Sequence, residues 1–345
     1  MSAAISVSIS GRARRPGWLL AVGLLVLAAA LLLLGMDVGS RGFEDMWRSR
    51  NDPVASQILW DIRVPRTLGA WLSGALLGLA GAIAQGLFRN PLADPYLLGS
   101  ASGAALGLAI ALALLGASPF AGEWVLRVGF TGAAFAGAVV GVLLTLVLAQ
   151  GVQHTMRLLL AGVIVGVVLG AARDLVTLAA PETLQGLQAF MLGSTGYVGW
   201  NACAIMSAVL APGLVVAWAT GRGLDALALG ESTAASLGLP LHAMRVALVA
   251  VLALATGAAV AQTGLIAFVG LASPHLVRSA VRTTHGALVF LSALMGGVLL
   301  MAADVLARWL VAPQELPVGV LTAVLGGSYL LWLMYRRSGV ARRAP

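Results

Sequence analysis

Long apolar runs, one after another and separated by short polar joints, limit the fold of this chain more than any other feature. A run of about 18 residues with almost no charge can cross roughly 30 Å of hydrocarbon as a helix. Inside hydrocarbon every backbone polar group must be satisfied within the structure, which leaves helical bundles and closed barrels. A barrel would show segments of about ten residues with alternating polarity, and none is visible. The runs predict ten spans, approximately 17–35, 65–86, 94–115, 124–148, 157–180, 192–218, 242–262, 264–281, 286–309 and 316–335. Only 10% of the 345 residues are charged and 60% are hydrophobic, whereas soluble domains are about one-quarter charged. The expected fold class is an all-α polytopic membrane protein, with 1–345 forming a single transmembrane domain.

All 21 basic residues are Arg, and Lys is absent. A phosphate-binding P-loop requires a Lys on the phosphates, so any ATP-driven role needs an ATPase on another chain. The net charge of +8 does not indicate nucleic acid, because the arginines sit at span ends rather than in one patch. They read as topology determinants. With the N-terminus inside, ten spans return the C-terminus to the same side. The cytoplasmic segments then hold thirteen Arg against Asp94, Asp225 and Glu231, and the opposite side seven Arg against nine acids. That asymmetry satisfies the positive-inside rule. The first run follows Arg12, Arg14 and Arg15 as a signal peptide's would. No small-residue cleavage site follows Leu34, so it is expected to stay as an uncleaved helix.

Catalysis and metal binding find little support. The single Cys203 reads as a packed core thiol. His154, His242, His275 and His285 show no metal-ligand spacing. Ser273 and His275 are wrongly spaced to face each other on a helix, and no G-x-S-x-G elbow occurs. An ion-coupled secondary transporter would need a buried acid for its driving ion. Asp174 is the one acid that the spans place well inside the bilayer.

A short repeat runs through the chain. GAIAQ at 81–85 is echoed by AAVAQ at 258–262, and PYLL at 95–98 by PHLV at 274–277. Five predicted spans separate the copies, an odd number, so the second half (191–345) runs inverted to the first (1–190). Inverted repeats place a transport pathway at their interface.

The stretch QGLFRNPLADPYLLGSASG (85–103) interrupts two apolar runs with charge and proline. Pro91 and Pro95 can end one helix and start the next, with Asn90 and Asp94 capping exposed backbone donors. Together with its upstream sequence, RVPRTLGAWLSGALLGLAGAIAQGLFRNPLADPYLLGSASGAALG (63–107), it resembles the signature of the FecCD/BtuC-type permease family. GLIAFVGLASPHLVR (264–278) and ADVLARWLVAPQELPVGVLTAVLGG (303–327) resemble that family's later motifs. These permeases belong to ABC importers for haem, iron–siderophore and cobalamin. The ending GGSYLLWLMYRR departs from the family's usual Gly-x-Pro followed by aromatics.

The resemblance implies a type II ABC importer permease in the bacterial inner membrane, working as a homodimer. Two cytoplasmic ATPases would hold ATP and Mg, a periplasmic binding protein would deliver cargo, and this chain would bind no cofactor. The polar segment 221–240 reads as two short cytoplasmic helices broken at Gly230 and Gly238. Its Glu231, Ala234, Ala235 and Gly238 are similar to the coupling motif of ABC importers, with Asp225 and Glu231 open to basic partners. Arg63, Arg66 and Arg308 match arginines that meet acidic knobs of the binding protein. From the residues alone they are interfacial, with Asp304 bonding Arg308 at i, i+4. The outer segment 36–62, with Trp47 and Trp60, is expected along the interface.

The fifth span carries one anomaly. Gly162, Gly166, Gly170, Arg173 and Thr177 share a face, and Arg173 lies roughly 10 Å inside. Asp174 is adjacent, but neighbouring side chains diverge by about 100°, so it is not an obvious partner. Two readings stay open: a pathway wall, or an Arg that snorkels or pairs with another helix. A lumen cation would favour an anionic cargo, which makes haem the first expectation and ferric siderophore or cobalamin the alternatives.

Overall fold

The structure, a computed structural model, describes residues 17–39, 42–43, 52–116, 124–152 and 155–341. His154, Trp47 and the terminal Arg12, Arg14, Arg15, Arg342 and Arg343 lie outside them. Helix α1 (Gly17–Asp37) ends in a two-residue pair, β1 (Val38–Gly39) antiparallel to β2 (Gly42–Phe43). Helix α2 (Pro53–Ile58) passes through a π-turn at Leu59–Arg63 into α3 (Val64–Phe88). A 3-10 turn (Pro95–Leu98) leads to α4 (Ser100–Leu115), followed by α5 (Trp124–Leu148), α6 (Thr155–Ala179) and the short α7 (Leu184–Leu192). The second half comprises α8 (Trp200–Ala219), α9 (Gly221–Ala228), α10 (Glu231–Ser236) and α11 (Leu241–Thr263). It closes with α12 (Val269–Ala280), α13 (His285–Trp309) and α14 (Val318–Ala341).

Among the described residues seven helices are long and apolar enough to cross a membrane. Two expected spans yield shorter helices and a third starts late, each where a glycine redirects the chain. The run 94–115 is a 3-10 turn plus α4, because Gly99 takes φ +79. The run 192–218 begins late at Trp200, because Gly193 (φ +67) ends α7 and a turn intervenes. The run 264–281 yields a helix of only 12 residues, α12, after a turn at Gly264–Phe268. Irregular backbone at membrane depth is tolerated when protein covers it, and α12 is covered by α3 and α13, with Val269–Pro274 all buried.

In the outer segment, residues 53–63 prolong α3 into a 36-residue helical run. At about 1.5 Å per residue this is about 54 Å, well beyond the hydrocarbon thickness. The Trp200 Nε1 donates to the Trp60 carbonyl at 2.8 Å and fastens the extension to α8.

Helix α3 is buried along almost its whole length, and α13 is its principal neighbour. The two meet backbone to backbone. A Cβ added at Gly74 would overlap the Gly296 carbonyl oxygen, and one at Gly78 the Ser292 carbonyl oxygen. The same device joins α4 to α5 through Gly103 and Gly137. Lipid offers no hydrophobic drive between helices, so close packing through small residues has to supply it. Cys203 is buried and its thiol donates to the Pro65 carbonyl, as a core thiol should.

Candidate functional site

At one end of the α3–α13 pair lies a buried charge cluster. One turn of α13 separates Asp304 from Arg308, and their side chains meet at 2.6 Å with almost no exposure. The i, i+4 order, acid before base near a helix C-terminus, suits both the pair geometry and the helix dipole. Arg308 also donates to the carbonyls of Gly35 and Val38, at 3.0 and 2.9 Å, and to the Thr67 hydroxyl. The other Asp304 oxygen accepts from Thr195 and from Arg66. Arg66 in turn reaches Glu315 at 2.9 Å. Arg63 donates to the carbonyls of Met36 and Asp37.

The Asp304–Arg308 pair is the one expected from their spacing, and the further contacts place Arg63 and Arg308 beneath the surface. Arg63 and Arg308 are 8% and 1% exposed, and both guanidinium groups bind the backbone at the end of α1. A buried guanidinium needs acceptors on most of its donors, and here the fold provides them. Only the Arg66–Glu315 pair reaches the surface. Among the described residues the buried acid is Asp304, in α13; Asp174 is 68% exposed at its side chain. With Arg308, Arg66 and Thr195 on its oxygens, Asp304 is a compensated structural charge and poorly suited to carry a driving ion. Its centrality was hidden in the sequence because Thr195 and Arg66 are remote from it along the chain.

At the opposite end lies the polar segment. The two short helices and both glycine breaks occur as expected, with Gly230 at φ +119 and Gly238 at φ +70. Ala235 and Gly238 are exposed, and Leu229 and Leu237 flank α10 at 72% and 62% exposure. Ala234 is fully buried and forms the underside of α10. The acids are not free, contrary to expectation. Asp225 accepts from the His285 backbone N–H at 3.0 Å and lies 2.7 Å from its Nδ1. Glu231 meets Arg245 of α11 at 2.5 Å and lies 3.9 Å from Arg89. Each acid finds a nearer cation or donor within its own chain.

Arg89 belongs to the proline-rich turn of 85–103. There Asn90 accepts from the Leu92 N–H and Asp94 from the Tyr96 N–H, both as expected. Burial pushes the Asp94 carboxyl upward in pKa, and the Tyr96 N–H opposes that shift. Sequence reasoning passed over Gln85. Its amide donates to the Leu271 carbonyl at 3.1 Å and accepts from Arg278 at 2.5 Å, pinning α12 to α3. The repeated Ala-Gln ending was the available signal.

On α6 the expected stripe divides. Gly162 packs against the Leu97 carbonyl, Gly166 faces Ser102, and Gly170 meets open space. The Thr177 hydroxyl bonds back to the Arg173 carbonyl. Arg173 is not unpaired: its Nε and Nη2 donate to Asp174 at 2.9 and 2.6 Å, and Nη1 lies 3.8 Å from Met191 of α7. The 100° divergence holds for the first bonds of the side chains. Arg is long enough to curl back around the helix to its neighbour, so spacing alone misjudged the pair. Ser273 is buried and spends its hydroxyl on the Val269 carbonyl at 2.5 Å, while the His275 ring stands edge-on to Tyr329. Neither is arranged as a nucleophile–base pair. Among the described residues no His, Cys, Asp or Glu cluster could hold a metal ion.

Known proteins share this architecture. The chain is 40% identical over 327 residues to the vitamin B12 import system permease protein BtuC of Salmonella paratyphi A (strain ATCC 9150 / SARB42), covering 94% of this chain and 96% of that one. The corresponding permease of Salmonella typhimurium is 39% identical over the same shares. An inward-facing metal-chelate type ABC transporter superposes with a TM-score of 0.82 at 26% identity, covering 93% of this chain and all of that one. PsaBC from Streptococcus pneumoniae shares the fold more distantly, with a TM-score of 0.51 at 21% identity over 76% of this chain and 88% of that one. The architecture is that of a type II ABC importer permease, a multi-pass membrane subunit whose ATP hydrolysis is performed by a separate ATPase. Residues 23–336 match the model of the FecCD transport family, and the chain belongs to that family.

Proposed function

We propose that this chain is the homodimeric permease of a vitamin B12 importer in the bacterial inner membrane, with both termini cytoplasmic. The observation that carries the cargo is the likeness to vitamin B12 permeases at 40% identity over 94% of the chain. The α6 geometry supports it, because pairing with Asp174 removes the free lumen cation that had favoured an anionic cargo such as haem. The exposed apolar face of α6, with Val163, Val167 and Leu175, offers a second copy a surface, and Gly166, Gly170, Arg173 and Thr177 would stand at the pathway between copies.

Segment 221–240 would engage the ATPase. A short helix with Ala235 exposed, flanked by exposed Leu229, Leu237 and Gly238, suits insertion into a cleft. The binding protein would dock at the far end over Arg66 and Glu315, with Arg63 and Arg308 holding the platform beneath. ATP favours one closure of the ATPase pair, and that differential binding would bias the two halves between outward and inward states. Inverted halves near 1–190 and 191–345 are supported by a shared pattern. Both α3 and α11 carry the Ala-Gln motif near their C-terminal ends, and each leads through a turn into a shorter helix.

Proteoliposomes containing this chain, its ATPase and its binding protein are expected to accumulate cyanocobalamin when ATP is enclosed, and not haem. Haem uptake without cobalamin uptake would move the cargo. Uptake of either without ATP would overturn the importer reading. Within the same assay, Arg173→Met is expected to leave cobalamin uptake within about fivefold, since a compensated pair with its acid exposed contributes about 1 kcal/mol or less. A loss of a hundredfold would return Arg173 to a direct role on the cargo.

A further inference from the structure

Helix α9 is built into the transmembrane bundle, whereas α10 stands away from it. Gly221 lies against the backbone of Gly286, where an added Cβ would come 2.7 Å from both its N and its Cα. Leu224 is fully buried and lies beside Gly86 of α3. Asp225, 60 residues from His285 in sequence, accepts from the His285 backbone N–H and pairs with its Nδ1. The usual cap is missing: Thr284 occupies the N-cap of α13 without a side-chain bond to the first turn. Asp225 therefore caps α13 from a different element, satisfying one of the orphan donors that a helix start leaves and placing an acid at the positive end of its dipole. Beyond Gly230 the connections change. Helix α10 buries only Ala234 and is tied through Glu231 to Arg245 of α11 and to Arg89.

We propose that Asp225 is the positioning residue that makes α9 and α13 move as one body, so that motion at the ATPase side reaches the outer charge cluster along α13. The inference rests on the reading of 221–240 as the ATPase-coupling segment. Helix α13 suits the task because it lies backbone to backbone on α3 through Gly74, Gly78 and Gly296. It carries His285 at one end and Asp304 about 28 Å away at the other, by the helical rise. Packed backbones of this kind shift as discrete bodies rather than deform.

The test uses the assembled transporter and reads the ratio of ATPase activity with and without the binding protein, which needs no assumption about cargo. Asp225→Ala is expected to lower that ratio about tenfold, within the range of coupling between distant sites, while the ATPase still co-purifies. Asp225→Asn retains an oxygen acceptor for the N–H bonds and is expected to restore most of the ratio. His285→Ala keeps the backbone bond, loses the ring contact and is expected to fall between them; it decides the matter if Asp225→Ala does not fold. An unchanged ratio in both alanine variants, with the ATPase bound, would overturn the inference alone. Undiminished ATPase binding after Ala235→Arg would instead overturn the coupling reading beneath it.

Discussion

Asp304→Ala is expected to destabilise the protein by about 3–5 kcal/mol, the cost of leaving a buried cation without its partner. The carboxylate is fully buried and serves Arg308, Arg66 and Thr195 together. Its removal strands Arg308, which is 1% exposed and cannot turn to water. The remaining acceptors of Arg308, three carbonyls and a hydroxyl, are neutral. Thermal unfolding in detergent would show the loss. Replacing the pair together, Asp304→Leu with Arg308→Met, is expected to recover more than half of it, because the stranded cation leaves with the acid and Arg66 keeps Glu315. Equal losses in the single and double variants would mean that the pair acts through something other than charge compensation. The same cluster joins α1, α3, α13 and the turn before α8, so these elements should loosen together.

Gly78→Val is expected to cost more than the ~1–3 kcal/mol typical of an overpacked core. The obstacle is the Ser292 carbonyl of α13, which belongs to a backbone that cannot rotate aside. The helices would have to separate, giving up contacts along the length that α3 shares with α13. Yield of folded protein after a heating step measures the effect. Gly23→Ala in α1 is the matched control, since nothing lies within 4 Å of its added Cβ. Ala is also the better helix former by about 1 kcal/mol, so the control should be neutral or slightly stabilised. A Gly78→Val protein as stable as that control would show that α3 and α13 are not held by backbone contact.

Membrane insertion was legible from composition because it follows from apolarity alone, and apolarity is a property of residues. The same holds for the missing P-loop, the glycine breaks at 230 and 238, and the caps at Asn90 and Asp94, each of which depends on a few neighbouring positions. Local signals also reached Asp304–Arg308, whose partners are one helical turn apart.

The errors share one cause. Hydropathy counts apolar residues but is blind to chain direction, so α12 passed for a full span and the late start of α8 was missed. Charge position likewise says nothing of which way a long side chain turns. Arg63 and Arg308 are buried against the end of α1, and Arg173 curls onto its own neighbour Asp174 rather than onto another helix. Asp225 and Glu231 looked available and are taken by His285 and Arg245. Residue type and spacing thus settle that the chain lies in a membrane and that 221–240 breaks at Gly230 and Gly238, since those depend on local free energies. Which charges are spent within the fold depends on partners brought close only when α3, α13 and the α9–α10 segment pack together, and no spacing along the chain encodes that distance.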